Sequence, residues 1–123
     1  MDKNQNMFIV DTGNKAIRKI VNGGTSVSTF SSGPYVAPVG AVWDVAGMHM
    51  YVTDRDYIWQ LDSDGRFTSH LFGNADGTGT SFQFGTLRYI DRDDFDNMYV
   101  ADTNGYVRQL YKASAGLEMG LVT

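Results

Sequence analysis

The stretch NMYVADTNGYVRQL at residues 97–110 is written twice more in the same chain, as MFIVDTGNKAIRKI at 7–20 and MYVTDRDYIWQL at 50–61. Each copy is an apolar run closed by an aspartate, a short polar turn, and a second apolar run, the pattern of two strands around a tight turn. Aligned on Asp11, Asp54 and Asp102, the copies recur at intervals of 43 and 48 residues. A repeat of that period is one supersecondary unit that cannot bury both faces alone. The units must stack.

Each unit extends beyond the shared phrase. The second reads as four strands, AVWDV (41–45), HMYVT (49–53), YIWQL (57–61) and RFTSHLF (66–72), separated by AG, DRD and DSDG. Those joints are turn chemistry, with glycine for positive φ and aspartate for bonds to nearby amides. The third unit supplies TLRYI, NMYVA, YVRQL and LEMGLV; the first supplies MFIV, AIRKI and SVSTF but lacks most of its opening strand. Asp2 aligns with Asp44 and Asp91 at the end of that strand, and the glycine that should lead it, as Gly40 and Gly85 lead the others, would precede residue 1. Two-residue alternation is weak, as expected where a sheet is covered on both faces. Ile17, Ile58 and Val107 occupy one column and are expected in the core.

The repeats resemble NHL repeats, the blades of a family of β-propellers. VDTGNKAIRKI at 10–20 and YVADTNGYVRQL at 99–110 carry the resemblance, and so does the link FGNADGTGTSFQFGTLRYID at 72–91, which is similar to the glycine-rich joints of bacterial and secreted members. The second unit departs from the pattern, with DRD in place of DTGN and Trp59 where arginine is usual. The resemblance implies an all-β fold of three four-stranded antiparallel blades at 1–33, 39–73 and 84–123, half of a six-bladed ring. It slightly favours a secreted or cell-surface setting. Propellers typically need 4 to 8 blades to close. Three blades would therefore self-associate or join flanking blades of a longer chain, and the free 123-residue chain is expected not to be a stable monomer.

Composition narrows the function. Ten basic against 14 acidic residues give a net charge of −4, the wrong sign for a surface that gathers nucleic-acid phosphates or anionic lipid. RNA binding, known in some NHL proteins, is disfavoured. The chain has no cysteine, which removes thiol catalysis and cysteine-ligated metal. No apolar run reaches a membrane span, and MDKNQN does not read as a signal peptide.

The residues that could carry chemistry each have a structural reading beside the functional one. Asp11, Asp54 and Asp102 fit as acceptors of amide bonds from the turns that follow them. Asp91, Asp93, Asp94 and Asp96 in DRDDFDN suggest calcium, but Phe95 fills a donor position and no distal glutamate follows, so an acidic hairpin is the better reading. NADGTG (74–79) lacks the lysine of a phosphate cradle. His49 and His70 are the only histidines, too few for a three-histidine zinc centre. A catalytic propeller of the metal-dependent lyase or lactonase type would need other blades to complete its site.

No cofactor is implied. Tyr51, Tyr57, Trp59, Tyr89, Phe95, Tyr99 and Tyr106 are expected between blades as filler. In a propeller the links share a rim with the turns between second and third strands, which gathers Asn14, Lys15, Tyr35, Arg55, Asp56, Phe82, Phe84 and Asn104 on one loop face. Loops on a rigid scaffold are where recognition concentrates, and this mixture fits a protein or glycan partner. The reading from sequence is a non-catalytic interaction or assembly module.

Overall fold

A computed structural model of the chain describes residues 2, 4–72, 86–103, 105–113 and 116–121. Eleven strands form three antiparallel sheets, with no α-helix among the described residues. The first sheet has the order β1-β2-β3, from Met7–Asp11, Ala16–Ile20 and Val27–Ser31. The second is β4-β5-β6-β7, from Pro38–Trp43, Met50–Asp54, Tyr57–Leu61 and Phe67–Phe72. The third holds β8 to β11, from Leu87–Arg92, Met98–Asp102, Tyr106–Ala113 and Gly116–Leu121, again with neighbours in chain order. Every strand expected from sequence is present within a few residues, and the first sheet is one strand short. The three sheets do not close a ring.

Register confirms the repeat at the level of single residues. Ile9 pairs with Arg18, Val52 with Trp59, and Val100 with Arg108, so these pairs are equivalent. The opening strands of the second and third sheets both carry an irregularity, between Pro38 and Gly40 and between Leu87 and Ile90. Ala41 opposite Val52 and Ile90 opposite Val100 are therefore counterparts. Counting from them, Tyr89 stands in Gly40's place; Gly85, expected there, lies outside the described residues.

The sheets stack in chain order around two apolar layers. Ile17, Tyr35, Trp43, Met50, Val52 and Leu61 fill the first, between the first and second sheets. Tyr51, Ile58, Leu87, Ile90, Met98, Val100 and Leu110 fill the second, between the second and third. Alternate residues of β5 thus enter opposite layers, Met50 and Val52 one way and Tyr51 the other, and all five of its residues are buried. Gly40 marks the closest approach: a Cβ there would lie 3.1 Å from Thr53 Oγ1 and 3.2 Å from both Arg88 O and Ile90 N. Thr53 Oγ1 donates to Arg88 O at 2.5 Å and also accepts from Gly40 N at 3.0 Å, tying both sheets at that point.

The outer sheets differ from the middle one. Met7 and Ile9, equivalent to Met50 and Val52, are 50% and 38% exposed. On the far side Tyr99 and Val107, equivalent to Tyr51 and Ile58, are 36% and 38% exposed. Val107 is thus not in the core as its column implied, because no sheet covers that face among the described residues. Tyr89 and Phe95 are likewise exposed rather than packed between sheets. The side chain of Tyr106 lies outside the described residues.

Candidate functional site: the loop rim and the outer sheet faces

The turns between second and third repeat strands span four, two and three residues, between Asp11 and Ala16, Asp54 and Tyr57, and Asp102 and Tyr106. Each holds a residue in the left-handed region: Lys15 and Gly105, with φ of 54° and 88°, directly before the next strand, and Arg55, with φ of 54°, directly after the preceding one. Asn14, Lys15 and Arg55 are exposed and Asp56 is half-buried. Two of these also have structural work. Asn14 Nδ2 donates to Asp11 Oδ2 at 2.9 Å, and Arg55 O accepts from Leu87 N at 2.9 Å, which holds the second sheet to the third.

Tyr35 does not belong to the rim surface. It is 4% exposed, a wedge in the first apolar layer with ring centroids 5.4 Å from Phe67 and 6.5 Å from Trp59. Its hydroxyl meets Ser31 Oγ at 2.8 Å. An aromatic in a link looks available from sequence, but the link folds inward over the space between sheets. Burial pushes its phenol up to about 12, with Asp54 adding to the rise and the Ser31 contact opposing it. Phe82, Phe84 and Asn104 lie outside the described residues, which leaves Asn14, Lys15, Arg55 and Asp56 as the candidates for a loop face.

The repeated aspartates are structural in a way that differs from simple turn acceptors. Asp102 Oδ2 accepts from Arg108 Nε at 2.8 Å, and Asp11 Oδ2 accepts from Arg18 Nε at 3.1 Å. Arg18, Trp59 and Arg108 are equivalent by register, so the motif is an aspartate reaching across to the third residue of the next strand. At Trp59 the indole replaces the guanidinium, with Nε1 donating to Asp54 Oδ2 at 2.9 Å. Asp54 also accepts from Val36 N at 2.9 Å and Ala37 N at 2.6 Å, amides of the link from the preceding sheet. One fully buried carboxylate therefore anchors the crossover between two units.

A second aspartate recurs at the hairpin between first and second repeat strands. Asp2 Oδ1 accepts from Asn4 N at 3.0 Å and Asn6 N at 2.9 Å, while Asp93 Oδ1 accepts from Phe95 N at 2.8 Å and Asn97 N at 3.0 Å. Asn6 and Asn97 also donate through Nδ2 to the other carboxylate oxygen, at 2.9 and 2.8 Å. Asp44 plays the same part, accepting from Met48 N at 2.8 Å. Asp93, not Asp91, is thus the counterpart of Asp2 and Asp44, because the third opening strand runs two residues longer than its apolar part suggests. The Asn97 side chain leads the interactions that hold the Asp93 carboxyl below the usual carboxylate range.

The acidic hairpin does not converge on a metal site. Asp93 is turned to its own turn, Asp96 Oδ1 accepts from Val45 N of the second sheet at 2.7 Å, and Asp91 Oδ1 accepts from Arg92 N at 2.8 Å. Among the described residues no three His, Cys, Asp or Glu side chains could hold an ion, and Asp94 joins no such group. His49 Nδ1 faces Asp44 Oδ2 at 3.5 Å, whereas the His70 ring packs 5.4 Å from Trp59. They do not meet at a common centre. NADGTG lies outside the described residues.

The outer faces are the larger feature that sequence reasoning only partly located. The back of the first sheet offers Met7 and Ile9; the front of the third offers Tyr89, Tyr99 and Val107. The front face is not a copy of the inner joint, since Tyr89 replaces Gly40 and Ala101 replaces Thr53. The repeat alignment was the signal, because it names the columns whose interior members are buried. No protein-family profile and no curated protein matches the chain.

Proposed function

We propose that the chain is an assembly module, an NHL-like segment of a β-propeller whose outer sheet faces join further sheets of the same kind. The observation that carries this reading is the exposure of Met7, Ile9, Tyr99 and Val107 in columns whose middle-sheet members, Met50, Val52, Tyr51 and Ile58, are at most 1% exposed. Apolar positions left in water at both ends of a stack favour association, because a covering sheet removes that surface from water. The stack is extended by chemistry it already uses inside.

Substitution of Gly40 and Thr53 by Tyr89 and Ala101 makes the leading face more aromatic than the inner joint. A mating sheet there packs on tyrosine rings, without the close strand contact that Gly40 allows. The rim of Asn14, Lys15, Arg55 and Asp56 would then lie to one side of the assembly, open to a protein or glycan partner.

Sedimentation of the purified chain tests the reading. Association at micromolar concentration is expected, and Tyr99→Lys with Val107→Asp should reduce it while leaving the sheets folded. A monodisperse, folded 13.6 kDa species in the unsubstituted chain would refute it.

A further inference from the structure

We propose that Asn22 is a site of covalent self-modification, losing its side-chain amide to attack by the Gly23 backbone nitrogen and becoming aspartate or isoaspartate without an enzyme. Asparagine followed by glycine is the pair in which this ring closure is least hindered, because glycine sets no side chain beside the attacking nitrogen and leaves the backbone free to turn. The chain writes that pair at 22–23 and 104–105, and the related aspartate–glycine pair at 64–65 and 76–77. Sequence alone ranks the two asparagines equally. The structure separates them.

Asn22 and Gly23 lie in the joint between β2 and β3, where residues 21–24 are all exposed. Gly24 N donates to Val21 O at 2.7 Å and Gly23 has φ of 77°, a type II turn with glycine in the position that demands positive φ. That bond passes over the Gly23 N–H, which has no hydrogen-bond partner among the described residues; nor has the Asn22 side-chain amide. Both reacting groups are therefore unengaged. A Cβ on Gly23 would meet nothing within 4 Å, which leaves room for a ring and for water. Asn22 is meanwhile tethered through its own N–H, which donates to Asn6 Oδ1 at 2.9 Å. At the other pairs the nitrogen is tied: Gly105 N donates to Asp102 O at 3.0 Å and Gly65 N to Asp62 O at 3.1 Å. Each must lose that bond before it can attack, so those turns have to open first. Gly65 is also crowded, since a Cβ there would run into Phe30 O. Asn104 and the pair at 76–77 lie outside the described residues.

The chemistry needs only water and base. The Gly23 nitrogen gives its proton to hydroxide and bonds to Asn22 Cγ; the Cγ–Nδ2 bond breaks, and the amide takes up a proton and leaves as ammonia. The product is a cyclic imide. Water then opens it in one of two ways: breaking the new bond between the nitrogen and Cγ yields aspartate, and breaking the bond between the nitrogen and the Asn22 main-chain carbonyl carbon yields isoaspartate. Either product adds a negative charge to a chain already at −4. Isoaspartate also routes the backbone through Cβ and Cγ, which lengthens the turn by one carbon. The Gly24–Val21 bond is then lost, and the end of the β2–β3 ladder, where Ile20 stands opposite Val27, loosens. The modification thus acts on the joint of the first sheet, independently of the face stacking proposed above.

The test ages the 123-residue chain at mildly alkaline pH and follows the peptides that contain residues 22 and 104 by mass spectrometry, with fragmentation that tells isoaspartate from aspartate. A parallel sample is aged unfolded in guanidinium, where neither pair is held. The two asparagines are expected to convert at similar rates when unfolded. In the folded chain Asn22 should stay within a few-fold of its unfolded rate while Asn104 slows about tenfold or more. Asn22→Gln should remove the fast product and leave Asn104 slow. The rate at Asn22 should rise with pH, since the attacking nitrogen must first lose its proton. Folding that slows Asn22 as much as Asn104, or an Asn104 that converts faster, would overturn the proposal. So would a rate at Asn22 that does not depend on pH.

Discussion

Arg108 Nε donates to Asp102 Oδ2 at 2.8 Å, with the two side chains 4% and 0% exposed, while the equivalent Arg18 to Asp11 contact at 3.1 Å is roughly three-tenths exposed on each side. One motif thus sits in two dielectric settings. Breaking a buried pair strands a charge, whereas water screens the exposed one.

Arg108→Ala is expected to destabilise the chain by about 3–5 kcal/mol, the range for an orphaned buried partner. Arg18→Ala should cost much less. Urea denaturation of the two variants checks the order, and equal losses would contradict it.

Ile58 is 0% exposed in the second apolar layer, and Val107 holds the same column at 38%. Ile58→Ala should cost on the order of 2–5 kcal/mol by cavity formation. Val107→Ala should be nearly neutral where the third sheet's face is in water. Measured above the concentration at which the chain associates, Val107→Ala should become costly, and thermal melts across a dilution series will read the change.

Tyr35 contributes an alkaline limit to stability. Its phenol is raised from 10.0 to about 12 by burial, so the folded state holds the proton more tightly than the unfolded chain. The stabilisation is complete below the unfolded value of 10 and is lost as pH rises through about 12. Tyr35→Phe should lose the Ser31 contact, about 1 kcal/mol, and flatten stability across that window. Circular dichroism against pH compares the two slopes.

Acid acts in the opposite sense on the turn aspartates. Asp93 is held below its ordinary value of 3.8 by the Asn97 side chain and then by the Asn97 and Phe95 amides; Asp62 is held down by the Arg66 and Asp64 amides. A lowered folded value means stability that is present above 3.8 and lost as pH falls through the folded value. Carboxyl carbon shifts should show both residues titrating below 3.8, and Asn97→Ala should move Asp93 back toward it.

The strands were legible because their signals are local. Tyr57–Leu61 matches YIWQL at both ends, since turn residues bracket an apolar run. Gly40 was visible as the glycine that leads its unit, though the reason for it was not: it lets β4 approach β8, a distance no local pattern encodes, and Tyr89 holds its place in the third sheet. The turns at Lys15 and Arg55 were legible as turns, and both residues take the left-handed backbone there. Tyr35 was misplaced because a link carries no periodicity to show which way its side chain falls.

What the sequence alone determined is the repeat: three sheets, their strand order, and the columns that must be apolar. Turn chemistry and residue spacing suffice for that, because each acts over a few neighbouring residues. Tertiary structure decided which members of a column are covered, so that Ile17 and Ile58 are buried while Val107 meets water. It also decided that the same aspartate–arginine contact is buried at Asp102 and Arg108 and roughly three-tenths exposed at Asp11 and Arg18. Identical positions acquire different partners because burial depends on what stands opposite, and a residue's own sequence neighbourhood does not contain that sheet.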